Sequence, residues 1–329
     1  MPILARHIGR HVSRLSGFAP AIPTPFDDNG TVDAAALERF CDRQIHEGAT
    51  ALIVCATTGE APTLSRAEHD KIVRIAVDVT HGRVPVIAGA GSNSTSQALE
   101  LAKDAEAAGA DAILSVVPYY NKPIQAGMYA HFHAIAESVG MPIILHDVPS
   151  RTVCGVADAT IGRLAENAQF IGLKDESGDI TRPLRLRALL GPDFRLLSGD
   201  DATALGFIAQ GGNGCISVTS NVAPSLCRSM YLALNRGQIN QAQRFAAVFM
   251  KLTSALFSET NPVPVKYALS LLNVMSPRVR LPLVELNNGN KSEIASILAY
   301  ACERYSGYVI GNSIATELTA DEFIRAAAD

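Results

Sequence analysis

The sequence predicts an α/β protein built on a closed (β/α)8 TIM barrel with a C-terminal helical appendage. Three observations carry this. Short β-rich apolar runs alternate with stretches of helical periodicity, eight such runs occur, and no glycine fingerprint follows the first of them. Strand–helix alternation makes a parallel sheet. Eight units at barrel spacing favour closure over an open doubly wound sheet, which would place glycines in its first strand–helix turn.

The runs are Phe18–Ile22, Ala51–Ala56, Pro85–Ala90, Ala112–Pro118, Pro142–Val148, Phe170–Lys174, Phe194–Ser198 and Gly214–Val218. Between them, Val32–Glu47 places Leu37, Phe40, Cys41 and Ile45 on one helical face, and Thr95–Ala108 is rich in Ala and Leu. The first run ends in Pro23-Thr24-Pro25-Phe26-Asp27, without glycine. Gly89-Ala90-Gly91 and Gly211-Gly212 are read as turns. After the eighth run the strands stop. Pro224–Thr260, Pro264–Leu272 and Lys291–Tyr305 read as helices, and Thr319–Ala328 opens with a capping box at Thr319-Ala-Asp-Glu322. The expected division is an N-terminal arm 1–16, a barrel 17–222, a helical region 223–306 and a tail 307–329.

Composition narrows the function. Of 329 residues 48% are apolar, enough for a large core and against disorder. The net charge of −4, from 28 basic and 32 acidic residues, argues against a nucleic-acid partner. Cys41, Cys55, Cys154, Cys215, Cys227 and Cys302 form no C-x-x-C pair and read as buried free thiols of a reducing compartment, hence a cytoplasmic protein. No apolar run approaches the ~20 residues of a membrane span. The first residues carry Arg6, Arg10 and Arg14 and no acid before Asp27. An organelle transit peptide shares that composition, but the segment is short and lacks serine richness. It reads as a basic arm packed on the barrel or on a neighbouring subunit.

Barrels of this kind carry their reactive groups at the C-terminal ends of the strands. Those ends read Thr57-Thr58-Gly59-Glu60, Pro118-Tyr119-Tyr120-Asn121, His146-Asp147-Val148-Pro149-Ser150-Arg151, Lys174-Asp175-Glu176-Ser177 and Ser198-Gly199-Asp200-Asp201. Lys174 leaves an apolar strand directly. An ammonium deprived of hydration yields its proton more readily, and a neutral amine forms an imine with a ketone. The plain alternative is a lysine paired with Asp175 or Glu176 at the rim. Thr57, Thr58 and Gly59 offer hydroxyls and N–H groups suited to a small carboxylate, or form an ordinary polar turn. Tyr119 and Tyr120 offer phenols, or merely pack. Arg151 offers a fork for a second carboxylate, or a rim salt bridge.

Metal chemistry is weakly supported. No H-E-x-x-H occurs, His131 and His133 read as solvated positions flanking Phe132, and Asp200-Asp201 lacks further ligands at a recognisable spacing. No metal and no cofactor are expected. The same acidic pair argues against a phosphate site there.

Together these strand ends resemble the dihydrodipicolinate synthase / N-acetylneuraminate lyase family. The resemblance runs from about Gly17 to Tyr305. It is carried, in order, by Thr57-Thr-Gly-Glu60, Val86-Ile-Ala-Gly89, Pro118-Tyr-Tyr-Asn121, Val148-Pro-Ser-Arg-Thr152, Ile171-Gly-Leu-Lys174, Leu197-Ser-Gly-Asp-Asp201 and Ile216-Ser-Val218. It implies a lysine-imine lyase or aldolase. Lys174 would bind pyruvate, Thr58 would hold its carboxylate, and Gly199 and Ile216 would line the substrate site. Thr57 and Tyr120 would belong to a proton relay, Tyr120 reaching across a subunit interface of a homotetramer built from dimers. Pro149-Ser-Arg-Thr152 is most similar to the synthase branch, in which Arg151 would bind aspartate semialdehyde. The alternative is an aldolase or dehydratase of another 2-oxo acid, of 2-keto-3-deoxy sugar acid or 4-hydroxy-2-oxoglutarate type. A third, a non-catalytic paralogue that binds a small acid or a partner subunit, has no need of an imine lysine.

The chain departs from the family pattern at the relay itself. His146 stands where the family has a tyrosine, Asp147 follows where asparagine is common, and Ala56 replaces a glycine. Histidine is an acid–base group near neutral pH, with a reference pKa of about 6.5 against about 10 for tyrosine, but its nitrogens lie closer to the backbone. His69, Asn93 and Tyr119 match the lysine feedback site of some members, whereas Ala61, Arg66 and Gln97 do not. Weak inhibition by L-lysine is the expectation.

Overall fold

The computed structural model describes residues 15–309. The basic arm and the tail, including the helix expected over Thr319–Ala328, fall almost wholly outside them. Eight strands form one parallel sheet in the order β1-β8-β7-β6-β5-β4-β3-β2. They are β1 Gly17–Pro20, β2 Leu52–Val54, β3 Val86–Gly89, β4 Ala112–Val116, β5 Ile143–Asp147, β6 Phe170–Asp175, β7 Arg195–Ser198 and β8 Gly214–Ser217. A parallel bridge between Ala21 and Ile53 joins β1 to β2, with the Ile22 N–H donating to the Ile53 carbonyl at 2.8 Å. The sheet is thereby closed into the expected barrel, one strand in each apolar run.

Each strand is followed by a helix on the outside: α1 Ala34–His46, α2 Arg66–Thr80, α3 Thr95–Ala107, α4 Gln125–Ser138, α5 Asp158–Ala165, α6 Arg182–Leu190, α7 Ala204–Ala209 and α8 Pro224–Asn235. The starts of α1, α2 and α3 are written in the sequence as side-chain caps. Asp33 accepts from the Ala36 N–H, and Ser65 with Glu68 forms a complete capping box. The apolar stripe expected on Val32–Glu47 faces the sheet, burying Leu37, Phe40 and Cys41.

Two cores result. Side chains such as Leu145, Leu173 and Leu196 pack outward against the helices. A smaller inner cluster that includes Ala19, Ala51, Ile53, Ile87, Leu114, Ile144, Leu197 and Ile216 fills the barrel. Strand periodicity sorts residues between the two, and a slip of one residue would exchange them. β5 and β6 show how closely this is set. Their register shifts after Ile143, which places Ile144 opposite Gly172 and His146 opposite Lys174.

α9 Ile239–Leu256, α10 Val263–Leu271 and α11 Asn288–Val309 complete the described chain. The stretch Pro224–Thr260 is helical as expected and divides into α8 and α9. The break falls at Gly237, whose φ of +69° ends α8. The helical region is tied to the barrel by charge: Lys266 Nζ meets Glu60 Oε1 at 2.7 Å, with side chains 0% and 1% exposed. Arg280 donates its backbone N–H to Glu60 Oε2 at 2.9 Å and its guanidinium to the carbonyls of Gly30 and Thr63.

Three expectations need correction. His131 is buried, not solvated: its Nδ1 lies 2.9 Å from the Thr95 hydroxyl. Gly89 and Gly91 are positions of close approach rather than turns, since a Cβ on either would fall 2.1 Å from the Cys55 carbonyl oxygen or 2.4 Å from the Val116 nitrogen. Cys154 is only half-buried, while the other five thiols are buried as read.

Candidate active site

The C-terminal mouth of the barrel holds a cavity of about 510 Å³. Thr57, Tyr119, His146 and Arg151 line it, as do His69 and Gln97. His146 and Lys174 sit side by side at the ends of β5 and β6, 3% and 5% exposed. Both occupy inward positions. Their neighbours Asp147 and Asp175 are also paired in register but turn outward.

The outward pair explains Asp147. Arg182 Nη1 lies 2.7 Å from Asp147 Oδ2 and 3.3 Å from Asp175 Oδ1, and its Nε reaches Asp158 Oδ1 at 2.8 Å. Burial opposes the Arg182 charge, but these carboxylates more than restore it, and its pKa rises. Burial pushes the Asp147 carboxyl above its usual range, with Arg182 pulling back. The network fixes the two strand ends from behind, and on the inward side His146 lines the cavity.

Inside, Glu176 is the hinge of the arrangement. One oxygen, Oε1, lies 2.6 Å from Lys174 Nζ and 2.9 Å from His146 Nε2. The β5–β6 ladder runs one bond further, the Glu176 N–H donating to the Asp147 carbonyl at 2.8 Å, and this fixes the Glu176 backbone beside β5. Gly199 makes room for it: a Cβ there would stand 2.3 Å from Glu176 Cγ and 2.7 Å from Lys174 Cε. Burial penalises the Glu176 charge, but the Lys174 ammonium and the His146 hydrogen bond outweigh it and pull the carboxyl well below its usual range. The His146 ring is pushed down by burial and then by the Lys174 charge, with Glu176 opposing. Burial and the Lys174 charge thus favour the uncharged ring.

The other expected residues divide. Thr57 and Arg151 line the cavity, and Arg151 makes no ion pair among the described residues. Thr58 is buried, its hydroxyl accepting from Asn261 Nδ2 at 3.0 Å and keeping its own hydrogen to donate. The turn that carries both threonines is held by Thr24 Oγ1 donating to the Gly59 carbonyl at 2.7 Å and by the Glu60 clamp. Cys55 and Glu60 bracket it with φ of +54° and +55°. Left-handed backbone at two non-glycine residues costs on the order of 1–3 kcal/mol each, strain that persists only where surrounding contacts over-determine it. Ile216 forms part of the barrel floor beside Ala19. Tyr120 stands apart on its own chain: it is 88% exposed, at a φ of +70°. Asp201 is buried and accepts the N–H groups of Val218 and Thr219, a structural role.

Sequence reasoning named Glu176 only as a possible rim partner of Lys174 and missed its bond to His146. Strand alternation was the available signal: position 174 in, 175 out, 176 in. Asn261 left no signal, because it arrives from the helical region about 200 residues away.

A closed (β/α)8 barrel with a lysine, a carboxylate and an imidazole gathered at its catalytic end defines an enzyme of the carbon–carbon lyase type. Comparison with known proteins makes this specific. The sequence profile of the Dihydrodipicolinate synthetase family matches residues 14–301, and the chain belongs to that family. It is 47% identical over 282 residues to a 4-hydroxy-tetrahydrodipicolinate synthase of Acidiphilium cryptum, covering 86% of this chain and 97% of the relative. It is 48% identical to the enzyme of the same name from Rhodospirillum centenum, over 86% and 97% of the two chains. Among solved structures, a chloride-inhibited dihydrodipicolinate synthase of Acinetobacter baumannii complexed with pyruvate superposes with a TM-score of 0.84 at 39% identity, over 86% of this chain and 98% of that one.

Proposed function

We propose that this enzyme is a 4-hydroxy-tetrahydrodipicolinate synthase that condenses pyruvate with aspartate semialdehyde through an imine on Lys174. One observation carries the reading: Lys174, near the end of β6, is shielded from water and stands beside His146, which with Arg151 lines the cavity at the barrel mouth. The chemistry asks for no metal or cofactor, since the iminium itself is the electron sink.

The proposed roles follow from position. Thr58, steadied by Asn261, and Thr57 hold the pyruvate carboxylate at the strained turn, above a floor that includes Ile216 and close to Gly199. The iminium loses a C3 proton to His146, and the enamine attacks the aldehyde carbon. His146 returns the proton to the new alkoxide. Arg151 binds the semialdehyde carboxylate as a two-pronged donor. Thr57 and Tyr120 assist the relay, with Tyr120 supplied by a second copy of the chain.

A tetramer made of two dimers needs two different self-complementary faces. The exposed apolar residues include Tyr120, Ile124 and Val153, in the loops after β4 and β5, and Ile180, Leu184 and Leu189, in and just before α6. We assign these to the two interfaces of a homotetramer. The named relatives and the five buried thiols fit a cytoplasmic enzyme. No helix among the described residues is long and apolar enough to cross a membrane.

The test is substrate choice by the purified protein. Pyruvate with aspartate semialdehyde is expected to turn over at least tenfold faster, by kcat/KM, than pyruvate with any unsubstituted or sugar-derived aldehyde. A sugar-derived aldehyde as the better acceptor contradicts the reading.

A further inference from the structure

We propose that Glu176 is a further catalytic residue of this site, a proton carrier that serves Lys174 while the imine forms and His146 once it has formed. The inference rests on the reading of Lys174 as the imine residue. Its basis is geometric: one carboxylate oxygen meets both nitrogens, at 2.6 Å and 2.9 Å. Glu176 keeps 21% of its side chain exposed at the mouth, and Gly199 has given up its side chain to admit it. The adjacent Asp175 cannot share this work, since it is committed to Arg182 on the other face.

The protons balance as follows. A carboxylate has no hydrogen, so His146 Nε2 carries the ring hydrogen and Nδ1 holds the lone pair. When the ketone enters, Glu176 takes a proton from the Lys174 ammonium. The amine attacks C2, and one nitrogen-bound proton moves to the ketone oxygen, giving a neutral carbinolamine. Glu176 gives its proton to the departing hydroxyl, which leaves as water. The carboxylate and an iminium remain, with the net charge unchanged.

Glu176 then changes partner. Loss of the C3 proton to His146 Nδ1 turns the iminium into a neutral enamine and the ring into an imidazolium. The cation that Glu176 balances has moved from Lys174 to His146 without the carboxylate moving. A carboxylate behind an imidazole holds its tautomer and stabilises its charged form, the same division of labour as in hydrolytic triads. A histidine thereby replaces the family tyrosine together with its own counter-ion.

The experiment is exchange of the pyruvate methyl protons with D2O, followed by NMR without any aldehyde. It reads C3 deprotonation alone, and borohydride trapping reads the imine separately. Glu176→Gln is expected to form the Lys174 adduct more slowly and to exchange about 10²–10⁴-fold more slowly than wild type. Glu176→Asp is expected to regain part of the rate. His146 is faced by Lys174 and Glu176 from β6 and by Arg151 from its own loop, so removing the one anion shifts the acid limb of exchange to lower pH. A merely structural role would lower the melting temperature and leave that limb in place. Wild-type exchange with an unmoved limb in E176Q overturns the proposal. If E176Q does not fold, E176D decides alone: exchange slowed at least tenfold with the adduct retained supports it, and wild-type exchange overturns it. Absence of any adduct in the wild-type protein is a different failure, that of the imine reading itself.

Discussion

The described residues include two buried lysine–glutamate pairs, and they differ in what surrounds them. Lys266 and Glu60 are sealed between barrel and helical region, with side chains 0% and 1% exposed. Lys266 Nζ also lies 4.2 Å from the Phe26 ring centre, and the second Glu60 oxygen is taken by the Arg280 N–H. Lys174 and Glu176 are 6% and 21% exposed, and their shared oxygen also serves His146 in a cavity wall. Lys266 is the more buried lysine, and burial, against the Glu60 charge, lowers its pKa to about 8. A search for a reactive lysine by burial alone would therefore select Lys266 and not Lys174, the residue proposed for the imine. What marks the site is an ion pair with a second proton acceptor and an open side, not an ion pair as such.

The largest expected effects separate the two pairs. Lys174→Met should lower turnover by roughly 10⁴-fold or more, as loss of a covalent residue does, while the protein stays folded. Lys266→Met should leave Glu60 charged and unpaired in the interior and cost about 3–5 kcal/mol, read as a lower denaturation midpoint. Adding Glu60→Gln should recover part of that loss. Equal loss of stability in both single variants would erase the distinction. His146→Phe tests the open side: the Lys174 adduct should persist while methyl-proton exchange falls about 10²–10⁴-fold.

A smaller effect lies in the pH dependence. Burial lowers the His131 pKa to about 4, and that of His146 falls in the same direction. Unfolding returns each ring to about 6.5, so the unfolded chain binds more protons below that pH. The stability these neutral rings allow is present above pH 6.5 and is lost as the pH falls towards 4. For His131 this amounts to about 3 kcal/mol in full. His131→Gln should flatten the denaturation midpoint across that window. The smallest expected effect is that of L-lysine. In the cavity lining Gln97 is neutral and bonded to Ser92, and Arg66 is paired with Glu100 and Asp104. Little inhibition is expected in a steady-state assay, and clear micromolar inhibition would contradict it.

Much of this was legible in the sequence, because barrel strands announce themselves locally. All eight apolar runs became strands, since each is short, largely buried and followed by a helix, and three of those helices (α1, α2 and α3) also carry a side-chain N-cap. Lys174, His146, Thr57 and Arg151 were visible as strand-end residues for the same reason. What the sequence hid were relations across the barrel. Asp147 was readable as a departure but not as the partner of Arg182, 35 residues on. Gly89 and Gly91 looked like turn residues because a close backbone approach leaves no local signature. His131 looked solvated because it lies beside a core phenylalanine, yet its helix buries both. The two contacts of Glu176, to Lys174 and to His146, depend on a register shift between β5 and β6 that no periodicity reveals.

The most direct test of the central distinction is to treat the protein with pyruvate and borohydride and to locate the adduct by peptide mass mapping. The account predicts modification of Lys174 and none of Lys266. An adduct on Lys266, or none on Lys174, would contradict it.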